Sequence, residues 1–173
     1  MTPPINPAGE YVPEPNPDAA KRAQFIEELS ALPMRLSAVV TDLSEQQLEL
    51  KYNKWTIRQI VHHLADSHVN AFVRQRLTLT EENPTIKPYD ESKWSVLPDN
   101  LTMEIAPSLE MLIAIHERMV KLFQAMTPEQ FARTYYHPEY KKSVSLGEML
   151  GLYAHHGRHH LAQIEWVKAN RNV

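Results

Sequence analysis

Four of the nine histidines in this 173-residue chain fall within six positions near its C-terminal end. They form two pairs with a spacing of four, His155 with His159 and His156 with His160. On an α-helix, residues four positions apart share one face, with their Cβ atoms about 5–6 Å apart. Two neutral imidazoles at that spacing can bind the same divalent metal ion. The pattern therefore predicts a metal site to which one helix contributes two ligands.

The phase of this helix distinguishes the two pairs of histidines. Its apolar residues fall on one stripe, formed by Leu146, Met149, Leu150, Tyr153, Ile164 and Val167. At about 100° per residue, His160 lies roughly 20° and His156 roughly 60° from the centre of that stripe. The pair His155 and His159 lies beyond roughly 100°, so we expect it to be solvated. Two inward imidazoles are costly without partners, which favours a shared metal over an ordinary hydrogen-bonded pair.

A third ligand must come from another part of the chain. Gly157 stands where a zinc protease helix of the H-E-x-x-H type carries its glutamate, so this is not that protease motif. An earlier helix offers three candidates, His62, His63 and His68. Periodicity slightly favours His68, which falls within the apolar stripe of that helix, whereas the other two lie on its flanks. A flank position can still face a neighbouring helix, so the residues alone leave this choice open.

The spacing of apolar residues is helical through most of the chain, and only four glycines occur in it. It predicts four long amphipathic helices, at about residues 18–40, 56–82, 107–126 and from 145 onward. Asp18 should cap the first helix, which Pro33 would bend or break. Ser145 and Glu148 should form a capping box at the start of the fourth. The fold class is therefore all-α, a four-helix bundle whose inward side chains build the ligand and metal sites.

The other segments are expected to connect or cover the bundle. Residues 1–17 hold six of the thirteen prolines and are predicted to form an extended arm, which leaves residues 18–173 as a single domain. Short helical turns are expected at 44–48 and 128–133, and an extended or hairpin excursion at 135–144. Residues 83–104 are predicted to be a long connection without regular structure, a kind of segment that is often functional.

Composition excludes several classes of function. The chain has no cysteine, so it contains no disulfide, thiolate metal site or cysteine nucleophile. Its 18 basic and 21 acidic residues give a formal net charge of -3, without a basic surface for nucleic acid or for an anionic membrane. Neither a secretory signal nor a membrane-spanning run is present, so we expect a cytoplasmic protein.

Three segments carry a resemblance to a known family. Residues 54–68 read KWTIRQIVHHLADSH, residues 88–94 read PYDESKW, and residues 151–160 read GLYAHHGRHH. Together they resemble the YfiT branch of the DinB-like superfamily, and the resemblance extends over almost the whole chain. It implies an up-down-down-up bundle with one divalent metal per subunit. Matched residue by residue, it implies His63, His156 and His160 as the ligands, with His68 in the core or supporting a ligand.

The resemblance also implies a metal-dependent hydrolase, since three neutral ligands leave coordination positions open for water or substrate. Zinc and nickel both suit imidazole ligands, and the sequence does not separate them. One alternative is a thiol S-transferase that joins a low-molecular-weight thiol of the bacillithiol kind to an electrophile, as some DinB-like proteins do. Another is a non-enzymatic helical module that binds metal for stability or sensing.

No catalytic acid or base is identified by these patterns. Asp66 is expected either to orient a ligand or to cap a polar surface. Tyr89, Asp90 and Trp94 could form a lid over the site, although ordinary loop packing is the favoured explanation for them. His116 is expected either to be a packing residue or to support a ligand, and His137 is expected to be a turn residue. We further expect a small-molecule substrate and assembly as a homodimer.

Overall fold

The computed structural model describes residues 2–171, and most of this chain is helical. Four helices of 20 to 25 residues dominate the structure. In chain order the elements are α1 (Ala19–Val40), α2 (Glu45–Leu48), β1 (Lys51–Tyr52), β2 (Trp55–Thr56), α3 (Ile57–Thr80), α4 (Glu91–Trp94), α5 (Pro98–Thr102), α6 (Ala106–Ala125), α7 (Pro128–Ala132), β3 (Thr134–His137), β4 (Lys142–Ser145) and α8 (Leu146–Asn170).

The four long helices enclose one interior, because α1 and α3 each pack against both α6 and α8. This confirms the predicted all-α four-helix bundle. Two apolar clusters fill the interior one above the other. The first includes Leu29, Met119, Phe123, Met149 and Leu150. The second includes Leu36, Ile60, Leu64, Leu112 and Ile164.

A layer of three histidines separates these two clusters. It consists of His68 from α3, His116 from α6 and His156 from α8, which we call the histidine layer. On the fourth side of the bundle, Leu32 of α1 crosses the same level, where Gly157 of α8 leaves room for its side chain. Imidazoles in an apolar interior must find hydrogen-bonding partners. The three rings of this layer must therefore be oriented so that they hydrogen-bond to one another or to the backbone.

A tight hairpin, which the sequence analysis did not predict, leads into α3. Strands β1 and β2 pair in antiparallel register, Lys51 with Thr56 and Tyr52 with Trp55. Asn53 takes the left-handed backbone conformation that such a turn requires, with φ of 52°. Thr56 then caps α3 in a capping box with Gln59, which fixes the first turn of the helix. The hairpin thus presents Trp55 at the end of the bundle where α3 begins.

Three local predictions need correction. Residues 83–104 contain α4 and α5, short helices that lack the apolar periodicity by which longer ones are predicted. Pro33 does not break α1, which continues from Ala19 to Val40. Ser145 caps α8 by accepting from the amide of Glu148 at 3.0 Å, but the box stays half-formed because the Glu148 carboxylate instead pairs with Lys142 at 2.7 Å.

Residues 2–17 contain neither helix nor strand and run along the outside of the bundle. The Tyr11 hydroxyl donates to the carbonyl oxygen of Glu148 at 3.2 Å. The Ser145 hydroxyl donates to the carbonyl of Pro15. These bonds attach the segment to the beginning of α8. No helix within residues 2–171 is both long and apolar enough to cross a membrane.

Candidate metal centre

Three histidines from two helices meet at one side of the bundle. His63 of α3 and His156 and His160 of α8 each present a ring nitrogen, and these nitrogens all lie within 4.8 Å of one another. The Nε2 atoms of His63 and His156 are 3.1 Å apart. His63 and His160 are buried and His156 is half-buried. The structure therefore brings together the three residues that the resemblance implied as ligands.

Hydrogen bonds through the histidine layer define which nitrogen of His156 is free. The Nδ1 of His116 lies 2.7 Å from the carbonyl oxygen of Leu29, and because a carbonyl can only accept, this nitrogen donates. The Nε2 of His116 therefore accepts from Nδ1 of His68 at 2.8 Å. In turn, Nε2 of His68 accepts from Nδ1 of His156 at 3.3 Å. The Nε2 of His156 retains its lone pair and points toward His63.

A second set of hydrogen bonds orients His160 in the same way. Its Nδ1 lies 2.8 Å from Oε1 of Gln163, an acceptor, so Nδ1 donates and Nε2 is left free. The amide nitrogen of Gln163 donates to Nε2 of His159, also at 2.8 Å. Histidines that bind metal usually donate a hydrogen bond from their other ring nitrogen, and this bond fixes the tautomer and the orientation of the ring.

Burial keeps these imidazoles in the form that binds metal. It lowers the pKa of His63 to about 4. Burial, followed by repulsion from neighbouring histidines, lowers the pKa of both His156 and His160 well below the usual value. All three rings are therefore neutral at neutral pH, with lone pairs available. Their proximity, tautomers and protonation state fit a divalent metal ion bound by three nitrogens.

A cavity of about 690 Å³ opens onto the three histidines. Trp55 forms its wall beside the ligands, with its ring 4.5 Å from that of His63 and 6.2 Å from that of His160. Tyr153 lies deeper, where burial raises the pKa of its hydroxyl. Tyr11 contributes to the wall from the N-terminal segment. The candidate centre thus faces a space large enough for a small organic molecule.

The candidates named for supporting roles occupy different places. Asp66 accepts a hydrogen bond from the Asn100 amide at 3.4 Å, and within residues 2–171 its carboxylate has no hydrogen bond to a histidine. Tyr89 lines the cavity, and its ring lies 4.6 Å from that of Trp94. Asp90 is exposed and caps α4 by accepting from the amide of Lys93. Of these residues, Tyr89 is the one that borders the site.

Two of the remaining histidines are separate from the three ligand candidates. The Nδ1 of His62 accepts from the Ser108 hydroxyl at 2.7 Å, and its Nε2 donates to the carbonyl of Met103, so this ring faces α6. His68 is fully buried and is hydrogen-bonded to the ligand candidate His156. Periodicity favoured His68 because the position of a residue on the apolar stripe predicts burial of its side chain, not metal binding. His68 is indeed more buried than His63.

Sequence reasoning missed three residues around the site. Trp55 precedes α3 in a hairpin too short to leave a pattern. Gln163 follows His160 by three positions and His159 by four, a spacing that would have indicated contact on one helix face. Arg74 follows His63 by eleven positions, which again places both on one face of a helix, and it lines the cavity.

The amino-acid sequence of this chain is similar to those of several known proteins. YfiT of Bacillus subtilis is 42% identical over 160 residues, which cover 91% of this chain and 90% of that protein. OB0782 of Oceanobacillus iheyensis is 48% identical over 144 residues, covering 82% of each. Both names give metal-dependent hydrolase as a provisional assignment.

The solved structure of Bacillus subtilis YfiT has the same fold. It matches with a TM-score of 0.93 and 39% identity, over 96% of this chain and 97% of that one. That protein is described as a probable metal-dependent hydrolase with an unusual four-helix bundle topology. A sequence model of the DinB superfamily matches residues 28–164, a range that includes all three converging histidines. The chain therefore belongs to the DinB superfamily.

Proposed function

We propose that this protein is a metal-dependent hydrolase of small molecules, in which His63, His156 and His160 hold one divalent zinc or nickel ion. The observation that carries the proposal is the convergence of three neutral ring nitrogens within 4.8 Å beside the cavity. A divalent ion bound there supplies Lewis-acid chemistry, activating water and polarising the substrate. The family relationship supports metal dependence, since the curated relatives carry that description.

The protein's own residues prepare the site for that chemistry. Because all three ligands are neutral, they leave the charge of the ion uncancelled. The hydrogen bonds that His156 donates to His68 and that His160 donates to Gln163 hold two of the rings in the ligand orientation. The Trp55 ring covers the third, His63, and excludes water from that side. A site with three protein ligands keeps positions open, as catalytic metal sites do.

Elemental analysis of protein purified without added metal tests the site. We expect about one equivalent of metal in the wild type and its loss in His63→Ala, His156→Ala and His160→Ala. His155→Ala is the matched control, because it removes a histidine of the same helix that lies outside the converging set. Full metal content in any of the first three variants would remove that residue from the proposed site.

Thiol transfer is the second candidate reaction. It is supported by one observation: within residues 2–171 no carboxylate is hydrogen-bonded to the three histidines, so the charge of a bound ion stays available to stabilise a thiolate. A cavity of about 690 Å³ also has room for a thiol together with an electrophile. Because the chain has no cysteine, the thiol would be a cosubstrate.

Two assays on the metal-loaded protein separate the reactions. One follows hydrolysis of a panel of esters and amides. The other follows conjugation of monochlorobimane to a low-molecular-weight thiol. Hydrolysis that disappears in His160→Ala supports the proposed function. Conjugation without hydrolysis would replace it by thiol transfer, and full metal occupancy without either reaction would favour a metal-binding module.

A further inference from the structure

Arg74 is a buried cation in the wall of the cavity that contains the three histidines. It lies eleven residues after His63 on α3, which brings both side chains to within about 20° of one helix face, three turns apart. Only 9% of the residue is exposed. Because it borders the same cavity as His63, His156 and His160, a molecule bound there would contact both ends of this face.

The guanidinium group has far fewer partners than it can bind. Within residues 2–171, one of its five N–H donors makes a hydrogen bond, to the hydroxyl of Tyr153 at 3.3 Å. Within residues 2–171 no carboxylate lies within salt-bridge distance of it. A positive charge that borders a cavity and lacks a counter-charge can pair with an anion bound there, so its place in the wall points to an anionic ligand.

The other charges around the cavity do not neutralise Arg74. The buried carboxylate of Glu148 is paired with Lys142 at 2.7 Å. Glu91 and Glu139 also border the cavity, but both are exposed, so solvent screens their charges. One buried positive charge therefore remains, and it matches a monoanion such as a carboxylate better than a dianionic phosphate.

A second unpartnered group lies in the same wall. The Nδ1 atom of His137 is buried and has no hydrogen-bonding partner among the described residues. His137 lies close enough to Arg74 for the guanidinium charge to add to burial in lowering the pKa of this histidine. A neutral imidazole can donate one hydrogen bond, so the two side chains together offer a cation and a donor to an oxyanion.

Tyr153 connects this group to the metal centre. Its hydroxyl accepts the bond from Arg74, while its ring lies 5.9 Å from that of His156. The guanidinium is thus one aromatic side chain away from a proposed ligand. We propose that Arg74 binds a carboxylate of the substrate, so that the enzyme acts on small molecules carrying one carboxylate remote from the reacting bond. This inference rests on the proposed function, because it uses the same cavity.

Paired inhibitors test the proposal without requiring turnover. Each pair consists of an aliphatic hydroxamate ending in a carboxylate and the same compound ending in a carboxamide, in a series of increasing chain length. The hydroxamate binds the metal in both members. With zinc-loaded wild-type protein, we expect titration calorimetry to show the carboxylate binding about ten- to a hundredfold more tightly at one optimal length.

Arg74→Met should abolish this preference while the carboxamide binds as it does to the wild type. Arg76→Met is the matched control, because it removes an arginine of the same helix that lies outside the cavity wall, and it should keep the preference. If the Met variant does not fold, Arg74→Gln is used, since it also removes the charge and should lose the preference equally.

The outcomes separate the two proposals. Equal affinity of the wild type for carboxylate and carboxamide at every length would overturn the role of Arg74 and leave the metal centre intact. A preference that survives in Arg74→Met would do the same. Failure of both inhibitors to bind zinc-loaded protein would show that no accessible metal lies in this cavity, which would overturn the proposed function and the role of Arg74 with it.

Discussion

The Nε2 atom of His116 lies 2.8 Å from Nδ1 of His68, so two imidazoles from different helices share one proton inside the bundle. His68 is wholly inaccessible to solvent and His116 almost so. Their hydrogen bond is the middle link between the backbone of α1, at Leu29, and a proposed ligand, His156. The orientation of a metal ligand is therefore fixed by the packing of all four long helices.

Replacing His116 should weaken metal binding although this residue cannot touch the metal. In His116→Leu, the Nδ1–H of His68 and the carbonyl of Leu29 lose their partners inside the bundle. We expect about ten- to a hundredfold weaker affinity for zinc and a loss of about 1–3 kcal/mol in the free energy of unfolding. Competition with a chelating dye and urea unfolding measure these quantities. His155→Leu is the control, and unchanged zinc affinity in His116→Leu would disprove the coupling.

The metal-free protein should become less stable as the pH falls. The pKa of His63 is about 4 in the folded chain but about 6.5 when unfolded, so the unfolded chain binds more protons between these values. Stability is therefore fully present above pH 6.5 and is lost as the pH falls toward 4. His63 alone should make the protein about 2 kcal/mol less stable at pH 5 than at pH 7.

Urea unfolding in the presence of a chelator at the two pH values measures this difference. The lowered pKa values of His156 and His160 act in the same direction. The matched variant His63→Gln should show a shallower dependence on pH. Equal or greater stability of the wild type at pH 5 would contradict the assignment of buried neutral histidines.

Metal binding should change the fluorescence of one tryptophan. The Trp55 ring lies 4.5 Å from that of His63, whereas Trp94 contacts Tyr89 and Trp166 contacts Tyr52. A paramagnetic ion close to an indole quenches its emission, so we expect nickel to reduce the fluorescence until one equivalent is bound. Zinc should quench it less. Trp55→Phe should abolish the nickel effect, and quenching that persists in this variant would place the metal elsewhere.

Adding one methyl group at Gly157 should destabilise the bundle. A Cβ there would collide with Cδ2 of Leu32 and lie 3.0 Å from its Cδ1. We expect Gly157→Ala to lose about 1–3 kcal/mol in the free energy of unfolding, despite the better helix propensity of alanine. Zinc affinity should fall as well, because the neighbouring residue is His156.

Thermal and urea unfolding of Gly157→Ala, Leu32→Ala and the double variant measure this effect. If the two side chains compete for the same space, the double variant will be more stable than the sum of the single changes predicts. Stabilisation of about 1 kcal/mol in Gly157→Ala alone, as at an exposed helical glycine, would refute the close packing of α1 against α8.

The sequence predicts which side chains of a single helix face inward better than it predicts which side chains of different helices meet. The phase of α8 alone indicated that His156 and His160 share an inward face, since phase is a local property of one helix. Choosing His63 over His68 required the family resemblance. The apolar stripe of α3 indicates which side chains are buried, but it does not indicate which neighbouring helix they pack against. His68 is covered by α6 through His116, and His63 faces α8.

Other features depend on contacts that no local pattern records. The hairpin that positions Trp55 has strands of two residues, too short for a detectable alternation. Nothing in the sequence distinguishes Arg74 from other polar residues of α3, because its place in the cavity wall is visible only in the structure. The predicted homodimer, the cytoplasmic location and the choice between zinc and nickel stay predictions.

The segment that carries Tyr11 has a consequence for how this fold can diversify. Residues 2–17 contribute a side chain to the cavity wall but no helix to the bundle. Their attachment depends on a few hydrogen bonds, such as that from Tyr11 to Glu148. Mutations in this segment can therefore reshape the cavity wall at Tyr11 while the three converging histidines keep their positions. This part of the cavity surface and the three histidines are encoded in separate stretches of the chain, which evolution or a protein engineer can alter independently.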